Sequence, residues 1–327
     1  MSVSGARSER LWVQTVLGRV AADGLGHIQP HEHVMLEAGP AAVRHPALRI
    51  DDIERTEREL LLYRNAGGTG IVDAQPLGSG RMAAELVRLA QRTGVQIIAS
   101  TGFHKAMFYG PDHWIRDCPP ERLYRLFAAE LTEGMLSGNG SRLPEERIPA
   151  KAGIVKAAVD ADGLTAYYAG KLEAAAAAAA ETGVAVMVHI EAGSDPLAVV
   201  DFLTGCGVTP ERIILCHLDR THHDYKLHEN IAQAGVYLEY DTIGRFKYHD
   251  DMTEARLIAH MVERGYEASL LLSLDTTRER LRSYGGELGL NYLLDTFLPL
   301  LRRAGMRDET IERMTIVNPR QALAVRQ

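Results

Sequence analysis

The sequence predicts an α/β fold: a single (β/α)8 barrel preceded by a short N-terminal β-hairpin. Three observations lead there. Eight short, almost wholly apolar segments alternate with helical ones. Strands of that kind are buried on both faces, as in parallel sheets. No shift in composition divides the 327 residues, so residues 1–327 read as one unit, with the hairpin at about 10–24 and the barrel with its C-terminal helices at 25–327. A doubly wound open sheet is the rival, but it would place a glycine-rich phosphate turn after its first strand, and none is present.

In order along the chain, residues 13–20 alternate weakly and end at Ala21-Ala22-Asp23-Gly24, the mark of a hairpin. The first barrel strand carries Pro30-His31-Glu32-His33. Further strands are expected at 69–74, 95–101, 152–159, 184–190, 212–218, 236–241 and 269–274. Helices are expected at 51–65, 80–92, 120–136, 164–182, 196–203, 222–233 and 251–264, several of them closed by a glycine such as Gly94, Gly183 or Gly265. Three more fill 292–303, 308–314 and 319–325. The alanine run at 174–180 suits a helix packed closely on the barrel. Two long connections, 102–119 and 276–291, follow strands and should lie over the barrel mouth. The segment 137–149 follows a helix and should lie at the opposite end as a surface connection.

Composition narrows the class. A net charge of −7 with both signs scattered argues against a nucleic-acid partner, which would need a basic face. Cys118, Cys206 and Cys216 form an odd set without metal-like spacing, which points to a reducing, cytoplasmic setting. Residues 1–10 are polar, and no apolar run approaches the roughly 20 residues of a membrane helix, so no membrane partner is expected.

On a strand, His31 and His33 would share a face and aim at one point, as a metal ion requires; the alternative is a pair of solvent histidines in a loop. Other strands carry a polar residue near the C-terminal end: Lys156, His189, His217 and Asp275. Singly, each suits a rim residue or a helix cap. Together, five strands bring four histidines, one lysine and one aspartate to one barrel mouth. A buried ammonium is costly unless paired or neutralised. A neutral Lys156 amine could add carbon dioxide to give a carbamate that bridges two cations; the alternatives are a lysine that snorkels to the rim or pairs with Asp275.

This set, with Gly26-His27, His189-Ile190-Glu191-Ala192-Gly193, His217-Leu218-Asp219-Arg220 and Asn318-Pro319, resembles the phosphotriesterase family of the amidohydrolase superfamily over nearly the whole chain. The resemblance implies two divalent cations per subunit, zinc first, with manganese, cobalt and iron as alternatives. His31, His33 and Asp275 would hold the more buried one, His189 and His217 the more exposed one, and Lys156 would bridge them as N6-carboxylysine. Two such cations ionise a shared water, and the hydroxide attacks while Asp275, the catalytic residue, orients it and carries its proton away.

The mouth loops, with Thr101-Gly102-Phe103-His104-Lys105, Phe108-Tyr109, Pro111-Asp112-His113-Trp114-Ile115 and Ser283-Tyr284-Gly285-Gly286, resemble a lactonase branch of that family. The expected substrate is a small, polar, anionic sugar lactone, phosphorylated or not. Arg245, Lys247 and Arg278 would hold the anion, and Tyr109 and Tyr240 would contact the lactone. Hydrolysis of N-acylated amino acids, organophosphate hydrolysis as a side activity, and a non-catalytic binding barrel are the alternatives. A homodimer is allowed by the resemblance, not required by it.

Overall fold

Period-two alternation of apolar residues builds the wall on which the polar residues sit. The computed structural model describes residues 11–326, so the polar leader and the first hairpin residue, Arg10, lie outside the described residues. The hairpin is β1 (Leu11–Thr15) and β2 (Gly18–Ala21). Eight strands follow: β3 (His27–Glu32), β4 (Gly68–Asp73), β5 (Gln96–Gly102), β6 (Ile154–Val159), β7 (Val186–Ile190), β8 (Ile213–Cys216), β9 (Tyr237–Tyr240) and β10 (Leu270–Leu272). They pair in parallel in chain order from β3 to β10, as the sequence predicts for a (β/α)8 barrel.

Between them run α1 (Pro40–Arg44), α2 (Ile53–Asn65), α3 (Ala83–Thr93), α4 (Pro120–Thr132), α5 (Ala166–Thr182), α6 (Pro196–Gly205), α7 (Tyr225–Gln233) and α8 (Asp251–Glu263). Asp52, Asp195, Asp224 and Asp250 accept backbone N–H bonds at the starts of α2, α6, α7 and α8 and satisfy donors that have no partner within the helix. Ala174, Ala175, Ala176, Ala178 and Ala179 of α5 are buried, and their small side chains let the helix pack closely on its neighbours, α4 among them.

Two apolar cores result. Inside the barrel lie Ile28, Val72, Ile98, Ile154, Met187, Ile214 and Leu271. Their neighbours along each strand, such as Val155, Val188, Leu215 and Leu238, face the helix layer. The alternation therefore stacks Lys156 above Ile154, His189 above Met187, and Glu239 above Tyr237 on the inner face.

Two expectations need correction. The last predicted helix, 319–325, is α9 (Asn318–Leu323), and the chain then extends into β11 (Val325–Arg326), which pairs antiparallel with Leu11 and Trp12. An extended Ala324 and a β-branched Val325 suit the free edge of β1, and that pairing outcompetes one more helical turn. Segment 137–149 is not confined to the far end. Asn139 Oδ1 accepts the Gly80 N–H at 3.0 Å and the Ser141 carbonyl accepts the Trp114 N–H at 3.0 Å, so it climbs the outer wall and props two mouth loops. No helix among the described residues is long and apolar enough to cross a membrane.

Gly102 closes β5 against β6 with φ +99°, and a Cβ there would lie 1.9 Å from the Lys156 carbonyl oxygen. Gly102→Ala is therefore expected to destabilise the fold by about 3 kcal/mol, read from urea denaturation, because it combines left-handed strain with a backbone clash.

Candidate metal centre and cleft

The six residues singled out in the sequence meet at the C-terminal mouth of the barrel. His31, His33, Lys156, His189, His217 and Asp275 are all buried. The rings of His189 and His217 are 4.4 Å apart, those of His31 and His217 5.0 Å, and those of His31 and His33 5.8 Å. Asp275 Oδ1 stands 3.2 Å from His33 Nε2 and 3.7 Å from His31 Nε2. Lys156 comes from the middle of β6, fully buried, with Nζ 3.5 Å from Cys216 Sγ. It neither snorkels nor has Asp275 as a recorded ion-pair partner among the described residues.

Two of these residues leave the strand geometry. His217 has φ 64° and Asp275 has φ 46°, the two positive values among the described non-glycine residues. Each turns inward just beyond its strand. Strain of this kind persists only where surrounding structure holds it, and it concentrates at functional sites.

The donor set fits cations. His31 Nδ1 lies 2.9 Å from Glu239 Oε2, and His217 Nδ1 lies 2.7 Å from Asp241 Oδ1. A carboxylate on Nδ1 fixes the proton there and leaves Nε2 with a free lone pair. His217 Nε2 faces His189 Nδ1 at 2.7 Å, two imidazole nitrogens turned towards one point. Burial lowers His189 to about 3, lowers His33, and takes His217 well below the ordinary range, so these rings are neutral. Burial and the nearby Lys156 work against protonation of His31, yet Cys216, Glu239 and Asp241 together raise it well above the ordinary histidine value. That imbalance is an excess of negative charge which a cation would satisfy. His31, His33 and Asp275 form one group of side chains able to hold a metal, and His217, Asp241 and Asp275 form another.

Above this floor opens a cleft of about 520 Å³. Its walls come from the mouth loops, including Lys105, Glu191, Arg220, Arg245, Lys247 and Tyr248, and from Arg44 and His45 beside α1. Arg245 pairs with Asp275 Oδ2, and Arg220 Nη2 reaches the same oxygen at 3.4 Å. Burial opposes the charge on Asp275, but Arg245 and His33 hold its carboxyl well below the usual range. The Tyr248 ring gathers three cations, with Lys247 at 4.7 Å, Arg220 at 4.9 Å and Arg245 at 5.5 Å from its centre. A larger hollow of about 700 Å³ beside the hairpin is lined by no histidine, cysteine or acidic residue.

The expected substrate contacts divide. Arg245 and Lys247 line the cleft. Arg278 does not: its guanidinium lies over the Tyr284 ring, 5.6 Å from the centre, and the neighbouring Thr277 and Glu279 face the cleft instead. Tyr240 faces outward, because alternation along β9 sends Tyr237, Glu239 and Asp241 inward and Tyr240 into the helix layer; its hydroxyl meets His228 Nδ1 at 2.8 Å. Tyr109 is buried, and its hydroxyl accepts the His104 N–H at 2.8 Å. The same alternation could have pointed to Glu239 and Asp241, which sequence reasoning missed. Arg220, Lys105, Glu191 and Tyr248 carried no strand-end signal.

Fold and site together define a metal-dependent hydrolase of the barrel type, with side chains able to hold a metal at the strand ends. The chain belongs to the phosphotriesterase family, whose model it matches over residues 11–323. That family depends on a binuclear metal centre. The chain is 34% identical to a phospho-furanose lactonase of Mycoplasmopsis agalactiae, over 96% of this chain and 91% of that one. It is 28% identical to the N-acetyltaurine hydrolase of Homo sapiens, over 95% of this chain and 97% of that one. The crystal structure of an amidohydrolase from Mycoplasma synoviae superposes with a TM-score of 0.92 at 32% identity, covering 98% of this chain and 93% of that one.

Burial takes His228 down to about 4. Below pH 6.5 the unfolded chain protonates this imidazole while the folded chain refuses the proton until about pH 4, so this residue's contribution to stability, present above pH 6.5, is lost as the pH falls through that window. Relative to His228→Gln, the wild type is expected to lose about 1.4 kcal/mol per pH unit there, measured by urea denaturation at pH 7 and pH 5.

Proposed function

We propose that this chain opens a small, polar, phosphorylated sugar lactone to its hydroxy acid, using two divalent cations, zinc by preference. The observation that carries this reading is the placing of Arg220, Arg245 and Lys247 around Tyr248, directly above the buried imidazoles. An anionic group on the substrate meets three cations while its ring carbonyl reaches the floor. The phospho-furanose lactonase relatives support the lactone as the reacting group.

In this reading His31 and His33 would hold one cation with Asp275, and His189 and His217 would hold the second. Lys156 would add a further ligand as a carbamate, formed when an unprotonated amine adds carbon dioxide through a new N–C bond and releases one proton. Bound cations supply Lewis acidity towards the lactone carbonyl and the attacking water. Asp275 takes the water's proton as the new carbon–oxygen bond forms; the ring carbon–oxygen bond then breaks, and Asp275 returns the proton to the leaving oxygen, giving the alcohol of the hydroxy acid. Glu239 and Asp241 keep His31 and His217 in the tautomers that face inward. Burial of the floor keeps competing water away from the ligands.

A second reading, hydrolysis of N-acylated amino or sulfonic acids, has its support in the N-acetyltaurine hydrolase relatives and would use the same cations for the acid group.

Proton release from parallel panels of phosphorylated and neutral sugar lactones, N-acyl amino acids and phosphotriesters separates these readings. Phosphorylated lactones are expected to show the highest kcat/KM; no turnover of any lactone by protein holding two metals would sink the proposal. Arg245→Met is expected to lower kcat/KM for phosphorylated lactones about 10- to 100-fold and to affect neutral lactones less. Asp275→Asn is expected to lower kcat by about 10²–10⁴. Elemental analysis is expected to find two cations per chain, and Lys156→Met to retain fewer than two; a full complement in that variant would remove the carbamate from the scheme.

A further inference from the structure

Every neighbouring pair of barrel strands from β3 to β10 is joined by a backbone ladder, but β10 and β3 are not joined in this way. The seam between them falls where His31, His33 and Asp275 meet. It is bridged instead by Ser273 Oγ, which accepts the His31 N–H at 3.0 Å and meets the His31 carbonyl at 2.7 Å, and by the side chain of Glu32, which lies between the two histidines in sequence and faces away from them.

Glu32 is fully buried and receives five donors. Its Oε1 accepts from Gln29 Nε2 at 2.8 Å, from the Leu274 N–H at 2.9 Å and from Ser273 Oγ at 2.9 Å. Its Oε2 accepts from the Thr276 N–H at 3.0 Å and from Thr276 Oγ1 at 2.5 Å. One carboxylate thus grips the amides on both sides of Asp275. From the opposite side Arg280, also buried, donates through Nη1 to the carbonyls of Leu274 at 2.7 Å and Asp275 at 3.1 Å, and through Nη2 to the Ile243 carbonyl at 2.8 Å. The Asp275 N–H itself donates to the His31 carbonyl at 3.2 Å. Between these anchors the backbone of Asp275 takes its left-handed φ of 46°.

We propose that Glu32 and Arg280 are a pair of positioning residues that hold Asp275 in its left-handed turn and so aim its carboxylate at His31 and His33. An anion takes the amides and a cation takes the carbonyls of the same short turn. Each charge is satisfied by backbone groups that a strand ladder would otherwise have used. Glutamine cannot replace Glu32 without loss. Both carboxylate oxygens face donors only, so either orientation of the amide sets an NH2 group against an N–H. The role assigned to Asp275 rests on the function proposed above; the clamp itself rests on the contacts.

The test compares Glu32→Gln, Arg280→Lys and Thr276→Val with wild type in lactone turnover and in the rate at which zinc-loaded protein surrenders metal to a chelator, with circular dichroism to follow folding. Glu32→Gln is expected to lower kcat about 10- to 100-fold with KM within about twofold, and to release metal about tenfold faster. Arg280→Lys and Thr276→Val should show the same signature more weakly. If Glu32→Gln does not fold, these two decide the matter. Folded variants with wild-type kcat and metal release would overturn the proposal, as would a rise in KM at unchanged kcat. If wild type turns over no lactone, the functional reading fails, while metal release still judges the clamp.

Discussion

Two hydrogen bonds from the barrel wall determine what the mouth can hold. Glu239 takes His31 Nδ1 and Asp241 takes His217 Nδ1, so each imidazole presents Nε2 to the centre. Without those carboxylates either ring could carry its proton on the inward nitrogen and would then repel a cation. Glu239 and Asp241 are inward-facing residues at the end of β9, and they reach two histidines from different strands. The tautomers, the ring orientations and the local charge therefore depend on one strand that contributes no histidine.

The cleft above adds a second constraint, one of field. The chain carries a net charge of −7, yet the mouth gathers Arg220, Arg245 and Lys247 around a single tyrosine ring. Local potential in a low-dielectric cleft is set by the nearest charges, not by the total. These cations stand over a floor that holds the carboxylates of Glu239, Asp241 and Asp275, so charges of opposite sign are layered within one cleft. Arg245 belongs to both layers, since it also pairs with Asp275. Changes at that position therefore alter the charge of the cleft wall and the partner of Asp275 together.

Strain is placed with the same economy. His217 and Asp275 leave the strand geometry at the ends of β8 and β10, and each turn is tied to residues distant in sequence: the His217 N–H to Asp241, the Asp275 N–H to the His31 carbonyl, and the amides beside Asp275 to Glu32. The cost of about 1–3 kcal/mol for such a residue is small against the apolar burial beneath it, where the inner core fills the barrel and the outer core joins strands to helices. The wall is over-determined, and that allows two of its residues to be bent to function.

Much of this was legible in the sequence. Alternation of apolar strands with glycine-terminated helices determined the barrel, because each period reports its own element. His31, His33, Lys156, His189, His217 and Asp275 stood out because a polar residue at the end of an apolar strand has few reasons to be there. Tyr240 and Arg278 turn away from the cleft and Tyr109 is buried against the His104 backbone, because a side chain on a loop or strand edge has a direction that spacing along the chain does not report. Glu239, Asp241, Arg220 and Glu32 became visible only once strands far apart in sequence were neighbours. A pattern along the chain records which residues can share a face; only closure of the barrel decides which faces meet, since the bonds of Asp241 to His217, Glu239 to His31 and Glu32 to Thr276 join residues 24, 208 and 244 positions apart.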